Sequence, residues 1–185
     1  SELGIKETIL LTLDNDLIQL VDEQVRVYMY RPYQKDYVMY DKAKVLERFG
    51  FEPIQMIDYK GLVGDTSDNI PGVKGIGDKG AKALIASWGD IDQMIDNLDN
   101  IEPTRTRSAL TKGQASALSS RELATIVRDV PDLVLDLEAA DRKHFDPGQA
   151  RNFFEEIGFK THAKRVSSSD TVVLTKTVSA RTDLT

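Results

Sequence analysis

The stretch that most constrains this chain is GDTSDNIPGVKGIGDKGAKALIASWG, residues 64–89. Its first half concentrates glycine, proline, aspartate and asparagine, the residue types that form turns. Its second half places apolar residues at helical spacing, followed by Gly89 as a stop; these residues are Ala81, Leu84, Ile85 and Trp88. Upstream, Pro53 opens a second predicted helix over residues 54–63. The sequence therefore predicts two helices joined by a glycine-rich turn.

One interpretation of this stretch is a dinucleotide-binding loop, because Gly75, Gly77 and Gly80 match G-x-G-x-x-G. Such a loop requires a strand that leads directly into the glycines. Here the lead-in is GDTSDNIPGVK, which is polar, turn-forming and interrupted by a proline. This context disfavours a nucleotide cofactor.

A second interpretation is a grip on a phosphate backbone. The glycines would let the backbone of the turn approach a ligand closely. The following helix would present unpaired N–H groups to a phosphate, and Lys79 and Lys82 on its solvent side would add positive charge. Such contacts read no base edge, so the predicted ligand is nucleic acid of any sequence. A plain helix–helix turn with solvated lysines stays open as the alternative.

The composition limits which other sites the chain can carry. Its 185 residues suffice for one sizeable core, or for one domain and a tail. There is no cysteine, and His144 and His162 have no partner at metal-ligand spacing, so any metal ion must take oxygen ligands. The net charge of −6 disfavours nucleic-acid binding by bulk attraction but leaves room for a local basic patch. No apolar run is long enough for a membrane span, and the lack of cysteine is compatible with a reducing cytoplasm.

Four aspartates are candidate metal ligands. ILLTL, residues 9–13, predicts a strand buried on both faces of a parallel sheet. Asp14 and Asp16 follow at its carboxyl end, the edge at which ligands gather in open α/β sheets. Asp65 and Asp68 lie in the glycine-rich stretch, and four converging carboxylates would need divalent cations to offset their repulsion. Equally compatible with the spacing is a purely structural set of caps and turns, with Asp16 as the N-cap of LIQLV.

The remaining elements follow from periodicity and capping residues. Alternation predicts that VRVYMY and YVMY form a hairpin or a pair of short edge strands, and Asp41 and Gly50 bracket the helix KAKVLERF. Further helices are predicted over residues 91–101, 108–127 and 148–159, the last with Phe153, Phe154 and Ile157 inward. Residues 130–141 predict an extended, turning segment, and a Ser/Thr-rich linker or tail follows Arg165. No strand precedes residue 9 to pair with it, so we expect that the sheet is completed by a segment outside this sequence or that the chain is a fragment.

These motifs together resemble the C-terminal half of the bacterial 5′→3′ exonucleases, the flap-endonuclease-like nuclease domain at the front of DNA polymerase I. GDTSDNIPGVKGIGDKGAKALI looks like the acidic loop of that family running into its helix–three-turn–helix motif. LDNDLIQLV resembles its G-D-x-D-L-x-Q-L-V segment, although Leu13 stands where the family usually has glycine. Three further segments agree in order, so the similarity covers residues 1–166; they are DKAKVLERFGFEPIQMIDYKGLVGD, SSRELATIVRDVP and FFEEIGFKTHAKRV.

The resemblance implies a two-metal site and a grip on DNA. By motif position, the second of the family's two acidic clusters, which bind Mg²⁺ or Mn²⁺, corresponds to Asp14, Asp16, Asp65 and Asp68. The first cluster, the catalytic basic residues and the arch for the 5′ end would precede Ser1. The turn matches the segment that grips duplex DNA and, in relatives, holds K⁺ through backbone carbonyls. The implied DNA contacts are Gly72, Val73, Lys74, Gly75, Ile76, Gly77, Lys79 and Lys82.

The expected fold is α/β, an incomplete parallel sheet edge joined to a helical lobe that carries the helix–three-turn–helix motif. The expected divisions are part of a nuclease core over residues 1–50, the helical lobe and closing segments over 51–166, and a tail over 167–185. The expected function is that of one part of a 5′ nuclease acting on duplex DNA with a 5′ end or flap, weak or inactive alone. We expect a cytoplasmic monomer with a DNA polymerase as its covalent or functional partner. The competing expectation is a non-catalytic, sequence-independent DNA-binding module.

Overall fold

The computed structural model describes residues 4–141 and 145–166. These residues fall into two compact units that divide between Asp129 and Val130. The predicted tail, residues 167–185, lies outside the described residues. No helix among the described residues is long and apolar enough to cross a membrane.

A three-stranded sheet begins the first unit. Strands β1 (Thr8–Thr12), β2 (Val25–Arg31) and β3 (Asp36–Tyr40) lie in the order β1-β2-β3. β2 and β3 form the predicted antiparallel hairpin, with Val27 opposite Tyr40. β1 pairs in parallel with β2, with Thr8 opposite Val25. The parallel partner of β1 is thus a strand that follows it in sequence, a pairing that the sequence analysis does not predict.

The burial of β1 also differs from the prediction. Its residues alternate between half-buried and exposed, and Ile9 and Leu11 are 51% and 72% exposed. Successive side chains of a strand point to opposite faces, so these two residues share one face of the sheet. Within the described part of the first unit, residues 4–129, that face is left uncovered, so the prediction of a strand buried on both faces is wrong for this unit.

The segment after β1 is a 3-10 turn, Asn15–Leu20, rather than an α-helix. Its N-cap is Asp14, whose Oδ1 accepts from the backbone N–H of Asp16 over 2.9 Å. The prediction that Asp16 is the cap is wrong, because the turn begins two residues earlier than the apolar pattern suggests. Asp16 is thereby left in the first turn with its carboxylate free to contact another element.

The helices of the first unit follow their predicted caps closely. Asp41 caps α1 (Lys42–Phe49), and Gly50 ends it in the left-handed region. A 3-10 turn, Pro53–Gln55, leads into α2 (Met56–Val63). The next elements are α3 (Asp78–Trp88), α4 (Ile91–Asp96), a 3-10 turn (Leu98–Asn100) and α5 (Thr104–Ala124). The segment predicted as one helix over residues 91–101 is thus divided in two.

One apolar core joins the sheet to these helices, and its members include Ile18, Val27, Val45, Leu62, Leu84, Ile91 and Leu110. α5 contributes a stripe of small residues at helical spacing, which are Gly113, Ala117, Ser120 and Ala124. α2 packs on this face of α5. A Cβ atom on Gly61 would lie 3.1 Å from the carbonyl oxygen of Ala117, so only a glycine lets the two helices approach so closely. This contact fixes α2, and with it the turn that α2 enters, against α5.

The second unit contains α6 (Pro147–Glu156) and α7 (Lys160–Arg165), which pack on each other. Residues 130–141 form turns without helix or strand. Phe154 contacts the rings of Phe159 and His162, but Phe153 and Ile157 are 56% and 45% exposed. The prediction that Phe153 and Ile157 point inward is wrong for the described residues, because two short helices cannot cover all the apolar side chains on α6.

Candidate functional site: a glycine-rich turn and an acidic pair

Within the turn between α2 and α3, the backbone folds back so that Gly64 and Gly72 lie against each other. This close approach is sterically allowed because both residues are glycines. Gly64 and Gly72 have φ values of 78° and 61°, in the region that L side chains rarely adopt. A Cβ atom on Gly64 would lie 2.5 Å from the carbonyl oxygen of Ile70, and one on Gly72 would collide with the backbone nitrogen of Gly64. Asp65 and Ile70 exchange two backbone hydrogen bonds between these glycines. The acidic segment is therefore a closed loop at the base of the turn.

The turn is anchored to α5 by buried hydrogen bonds. The N–H of Gly72 donates to Oγ of Ser120 over 3.0 Å, and the hydroxyl of Ser116 donates to the carbonyl of Gly72 over 2.5 Å. Gly72, Val73 and Ile76 are buried. These three predicted DNA contacts hold the shape of the turn, and the side chains of Val73 and Ile76 face the protein rather than solvent.

The other predicted contact residues of the turn face outward. Lys74, Gly75, Gly77 and Lys79 are exposed. Within the described residues, the amides of Gly75 and Gly77 donate no hydrogen bond, and no side chain caps the N-terminus of α3. A Cβ atom on Gly77 would meet nothing within 4 Å, so that position is open to an approaching ligand. The geometry thus offers free N–H donors beside two lysines.

Lys82 differs from these lysines because it has a partner on its own helix. Its Nζ lies 2.8 Å from Oδ1 of Asp78, which also accepts from the hydroxyl of Tyr59 over 2.9 Å. The hydrogen bond from Lys82 is the main cause that holds the pKa of Asp78 below its ordinary value. Burial, and then Asp78, raise the pKa of Tyr59 to about 12. Lys82 is therefore partly neutralised, whereas none of the described carboxylates pairs with Lys74 or Lys79.

A groove of about 370 Å³ runs between the turn and α5. Pro71, Gly72 and Lys74 line one side of it, and Ala109, Lys112, Gly113 and Ser116 line the other. Lys112 thus joins Lys74 at the edge of the turn. The sequence pattern alone does not identify Lys112, because its place depends on α5 packing beside the turn.

The acidic residues meet around a buried lysine of α2. Lys60 is 7% exposed; its Nζ lies 2.6 Å from Oδ2 of Asp65 and contacts Oδ1 of Asp16. Oδ1 of Asp65 accepts from the backbone N–H and the hydroxyl of Ser67, over 2.9 and 2.5 Å. Lys60, and then Ser67, lower the pKa of Asp65 to about 2. Asp16 and Asp65 are therefore brought together, with the amino group of Lys60 between them.

The other two predicted ligands are placed less centrally. Asp14 is exposed and caps the 3-10 turn, and Asp68 is exposed in the acidic loop. Among the described residues, no three histidine or carboxylate side chains are gathered as a metal site. The oxygen atoms of Asp16 and Asp65 nevertheless fit a cation, because the ammonium of Lys60 already lies between them. Two of the four predicted ligands thus share a cation position in this structure.

Comparison with known proteins decides the family. The sequence model described as "5′-3′ exonuclease, C-terminal SAM fold" matches residues 51–148, more than half of the chain. The chain belongs to this 5′-3′ exonuclease family. The match begins just before α2 and includes the whole turn and α5. The resemblance drawn from the sequence, and the α/β fold with a helical lobe, are confirmed.

Two curated relatives of the chain are DNA polymerases I. DNA polymerase I of Chloroflexus aurantiacus is 41% identical over 175 residues, which cover 93% of this chain and 18% of the relative. DNA polymerase I of Bacillus subtilis is 34% identical over 153 residues, covering 83% of this chain and 17% of the relative. The chain thus spans about a fifth of the length of the curated relatives it matches.

Solved structures agree on the fold. A structure of T5 5′-exonuclease with bound zinc has a TM-score of 0.57 at 23% identity and covers 64% of this chain and 43% of its own. A complex of bacteriophage T5 D15 flap endonuclease with DNA and metal ions has a TM-score of 0.56 at 19% identity and covers 87% of this chain and 52% of its own. At these identities the likeness concerns the fold.

Proposed function

We propose that this chain is the duplex-gripping part of a structure-specific 5′ nuclease that acts on DNA with a 5′ end or flap. The observation that carries the proposal is the outward face of the turn, where Lys74 and Lys79 flank the uncapped N-terminus of α3. Family membership and the polymerase relatives support DNA as the ligand. We further propose a DNA polymerase as the covalent partner, a cytoplasmic setting and a monomeric state.

The proposed grip is on the phosphate backbone. Backbone N–H groups and lysines bind phosphate oxygens, and these contacts carry no information about base sequence. The anchors to Ser116 and Ser120 fix the turn before DNA arrives, so little conformational freedom is lost on binding. We also propose that backbone carbonyls of the turn hold K⁺. Two carbonyls of the turn, those of Gly72 and Val73, already accept hydrogen bonds within the protein.

For the chemistry, we propose that Asp16 and Asp65, with Asp14 and Asp68, supply oxygen ligands to Mg²⁺ or Mn²⁺. A divalent ion would there activate water and stabilise the charge that develops on the phosphate. Asp65 is suited to this role because its low pKa keeps it ionised at neutral pH, and Ser67 fixes its orientation. The complex of the T5 enzyme with DNA and metal ions supports a metal-dependent reaction in this family.

The test of the grip is fluorescence anisotropy with labelled duplexes over a salt series. Replacing Lys74 and Lys79 together by alanine should weaken binding equally for all base sequences. It should flatten the log–log salt slope by up to about 2, at roughly 0.9 per phosphate contact. The matched control replaces Lys42 and Lys44 of α1, whose side chains are 45% and 44% exposed, and should leave the slope unchanged. An unaltered slope in the Lys74/Lys79 variant would return the stretch to a plain helix–helix turn. Lys82→Ala should have less effect than Lys79→Ala, because Asp78 already engages Lys82.

Gly77→Val separates close approach from charge. Gly77 has φ of −109°, which any residue adopts, and its Cβ position is open. A side chain at this position therefore meets no steric obstacle, so the variant should melt like the wild type. Its affinity for duplex DNA should still fall at every salt concentration, because the added side chain would keep the phosphate away from the amide. Unchanged affinity would exclude contact at Gly77.

The competing proposal is a non-catalytic DNA-binding module, and a flap-cleavage assay distinguishes the two. Two-metal catalysis needs more carboxylates than the described residues gather, so this chain alone should bind flaps and cleave them poorly. In a longer protein that contains it, Asp65→Asn and Asp68→Asn should slow cleavage and weaken Mn²⁺ binding by calorimetry. Cleavage and Mn²⁺ affinity that survive both substitutions would show that this part of the protein contributes DNA binding without metal ligands.

A further inference from the structure

Lys60 is the residue whose surroundings the sequence least anticipates. It lies on α2 between Tyr59 and Gly61, and it is 7% exposed. A buried ammonium group is stable only where negative charge or hydrogen bonds replace its hydration. Here the two described carboxylates that contact its Nζ come from distant parts of the chain, Asp16 from the turn after β1 and Asp65 from the acidic loop.

The two carboxylates depend on Lys60 as much as Lys60 depends on them. Asp16 and Asp65 have side chains that are 15% and 20% exposed, so two carboxylates close together would repel each other strongly without a cation between them. Ser67 donates to Asp65 but carries no charge. Among the described residues, Lys60 is the cation that contacts both carboxylates.

We propose that Lys60 is an internal cation that assembles the Asp16–Asp65 pair before any divalent ion binds. A divalent ion that enters between the carboxylates does so against the positive charge of Lys60, so the lysine also sets the metal affinity. Lys60 acts through Asp16 and Asp65 and is a positioning residue. The metal part of this inference rests on the proposed function, whereas the counter-charge part rests on the contacts alone.

The first test compares thermal unfolding of the wild type and Lys60→Met in EDTA and in excess Mn²⁺. Methionine keeps an unbranched apolar chain and removes the charge. Lys60→Met should melt lower than the wild type in EDTA. On addition of excess Mn²⁺ its gain in melting temperature should exceed that of the wild type by about 3 °C or more, as expected when a saturating ligand binds about tenfold more tightly. Mn²⁺ binding measured by calorimetry should be on the order of tenfold tighter or more in Lys60→Met, since one unit of opposing charge is removed.

The control for surface charge is Lys44→Met, which removes an exposed lysine paired with Glu47. Its melting temperature should respond to Mn²⁺ like that of the wild type. If Lys60 served only to fill space, Lys60→Met would be destabilised equally in EDTA and in Mn²⁺. An equal Mn²⁺ gain in the wild type and in Lys60→Met would therefore overturn the proposal.

A second variant keeps the proposal testable if Lys60→Met does not fold in EDTA. Lys60→Met/Asp65→Asn removes one charge of each sign, so it should be more stable in EDTA than Lys60→Met. A space-filling role predicts a double variant no more stable than the single one. Failure of the double variant to fold, or to exceed Lys60→Met, would overturn the counter-charge role. None of these measurements uses DNA, so their failure is distinct from failure of the proposed DNA grip.

Discussion

The backbone amide of Gly72 donates to the Oγ atom of Ser120 over 3.0 Å, and this bond ties the glycine-rich turn to α5. Ser120 is fully buried and lies on the small-residue stripe of that helix. Ser116, one helical turn earlier, donates to the carbonyl of the same glycine. Both polar groups of one peptide segment are thus satisfied by α5, which explains how a loop rich in glycine holds a single shape.

Ser120→Ala should destabilise the protein. Alanine fits the space but leaves the N–H of Gly72 buried without a partner, which costs about 1–3 kcal/mol. Urea denaturation measures the loss. The matched control is Ser119→Ala at the neighbouring exposed position, which should stay within about 0.5 kcal/mol of the wild type. Equal stability of the two variants would mean that the bond to Gly72 contributes nothing.

Gly113→Ala should also destabilise, against the usual preference for alanine inside a helix. A Cβ atom on Gly113 would lie 2.6 Å from Cγ1 of Val73, and overpacking of this kind costs about 1–3 kcal/mol. The matched control is Gly80→Ala in α3, whose nearest neighbour would be Cγ2 of Ile76 at 3.7 Å. That variant should gain up to about 1 kcal/mol, the difference in helix propensity.

The Gly113 prediction has an internal check. Val73→Ala removes the methyl groups that an alanine at Gly113 would strike. The double variant should therefore be more stable than the sum of the two single changes predicts, because the two sites are in contact. Simple additivity of the two free-energy changes would show that α5 shifts away from the turn instead.

Arg121→Met should lower the free energy of unfolding by more than loss of the surface ion pair between Arg121 and Asp92 alone. The guanidinium of Arg121 holds Asp92 with two hydrogen bonds of 2.8 and 3.1 Å and lies 3.4 Å from Oδ1 of Asp58. Burial raises the pKa of Asp58 above its ordinary value, against the N–H of Ile91 and the guanidinium, which lower it. Without the arginine the buried carboxylate loses its countercharge, which costs roughly 3 kcal/mol.

The control for this prediction is Asp92→Asn. Asp92 has a side chain that is 62% exposed, so its pair with Arg121 is worth at most about 1 kcal/mol. Chemical denaturation of both variants gives the comparison. If Asp92→Asn costs as much as Arg121→Met, the network acts through the surface pair, and Asp58 is held by Ile91 alone.

The sequence predicts what depends on neighbouring residues. Asp41 and Gly50 mark the ends of α1, and Gly89 marks the end of α3, because capping is decided within one turn of helix. The motif around Asp65 also identifies the family, since the acidic loop and the turn are one continuous segment. By contrast, the sequence pattern places the N-cap after β1 at Asp16, whereas the structure has it at Asp14. The apolar pattern does not distinguish a 3-10 turn from a helix.

The parts that sequence reasoning misses are contacts between distant segments. Lys60 has no local signal, because a lysine within a helix is normally solvated, and its burial depends on where Asp16 and Asp65 are brought. The pairing of Lys82 with Asp78 is different, because it is local and can be recognised in the sequence as an i,i+4 pair. The parallel pairing of β1 with β2 could not be read from either strand, since register depends on the crossover between them. The stripe of small residues on α5 is a signal of close helix packing that is present in the sequence.

The carboxyl group of Asp65 should titrate at about pH 2, well below its ordinary value of 3.8. The hydrogen bond from Lys60 is the largest cause, followed by that from the hydroxyl of Ser67. Because folding lowers this pKa, the ionised carboxylate stabilises the folded state above about pH 4, and that contribution declines as the pH falls from 3.8 towards 2. Carbonyl ¹³C NMR in metal-free buffer measures the midpoint. Ser67→Ala should raise the midpoint, because residue 67 would then donate only its backbone N–H to the ionised carboxylate and no longer a hydroxyl. The control Ser87→Ala, at an exposed position of α3, should leave the midpoint unchanged. A midpoint near 3.8 in the wild type would show that neither Lys60 nor Ser67 favours the ionised form.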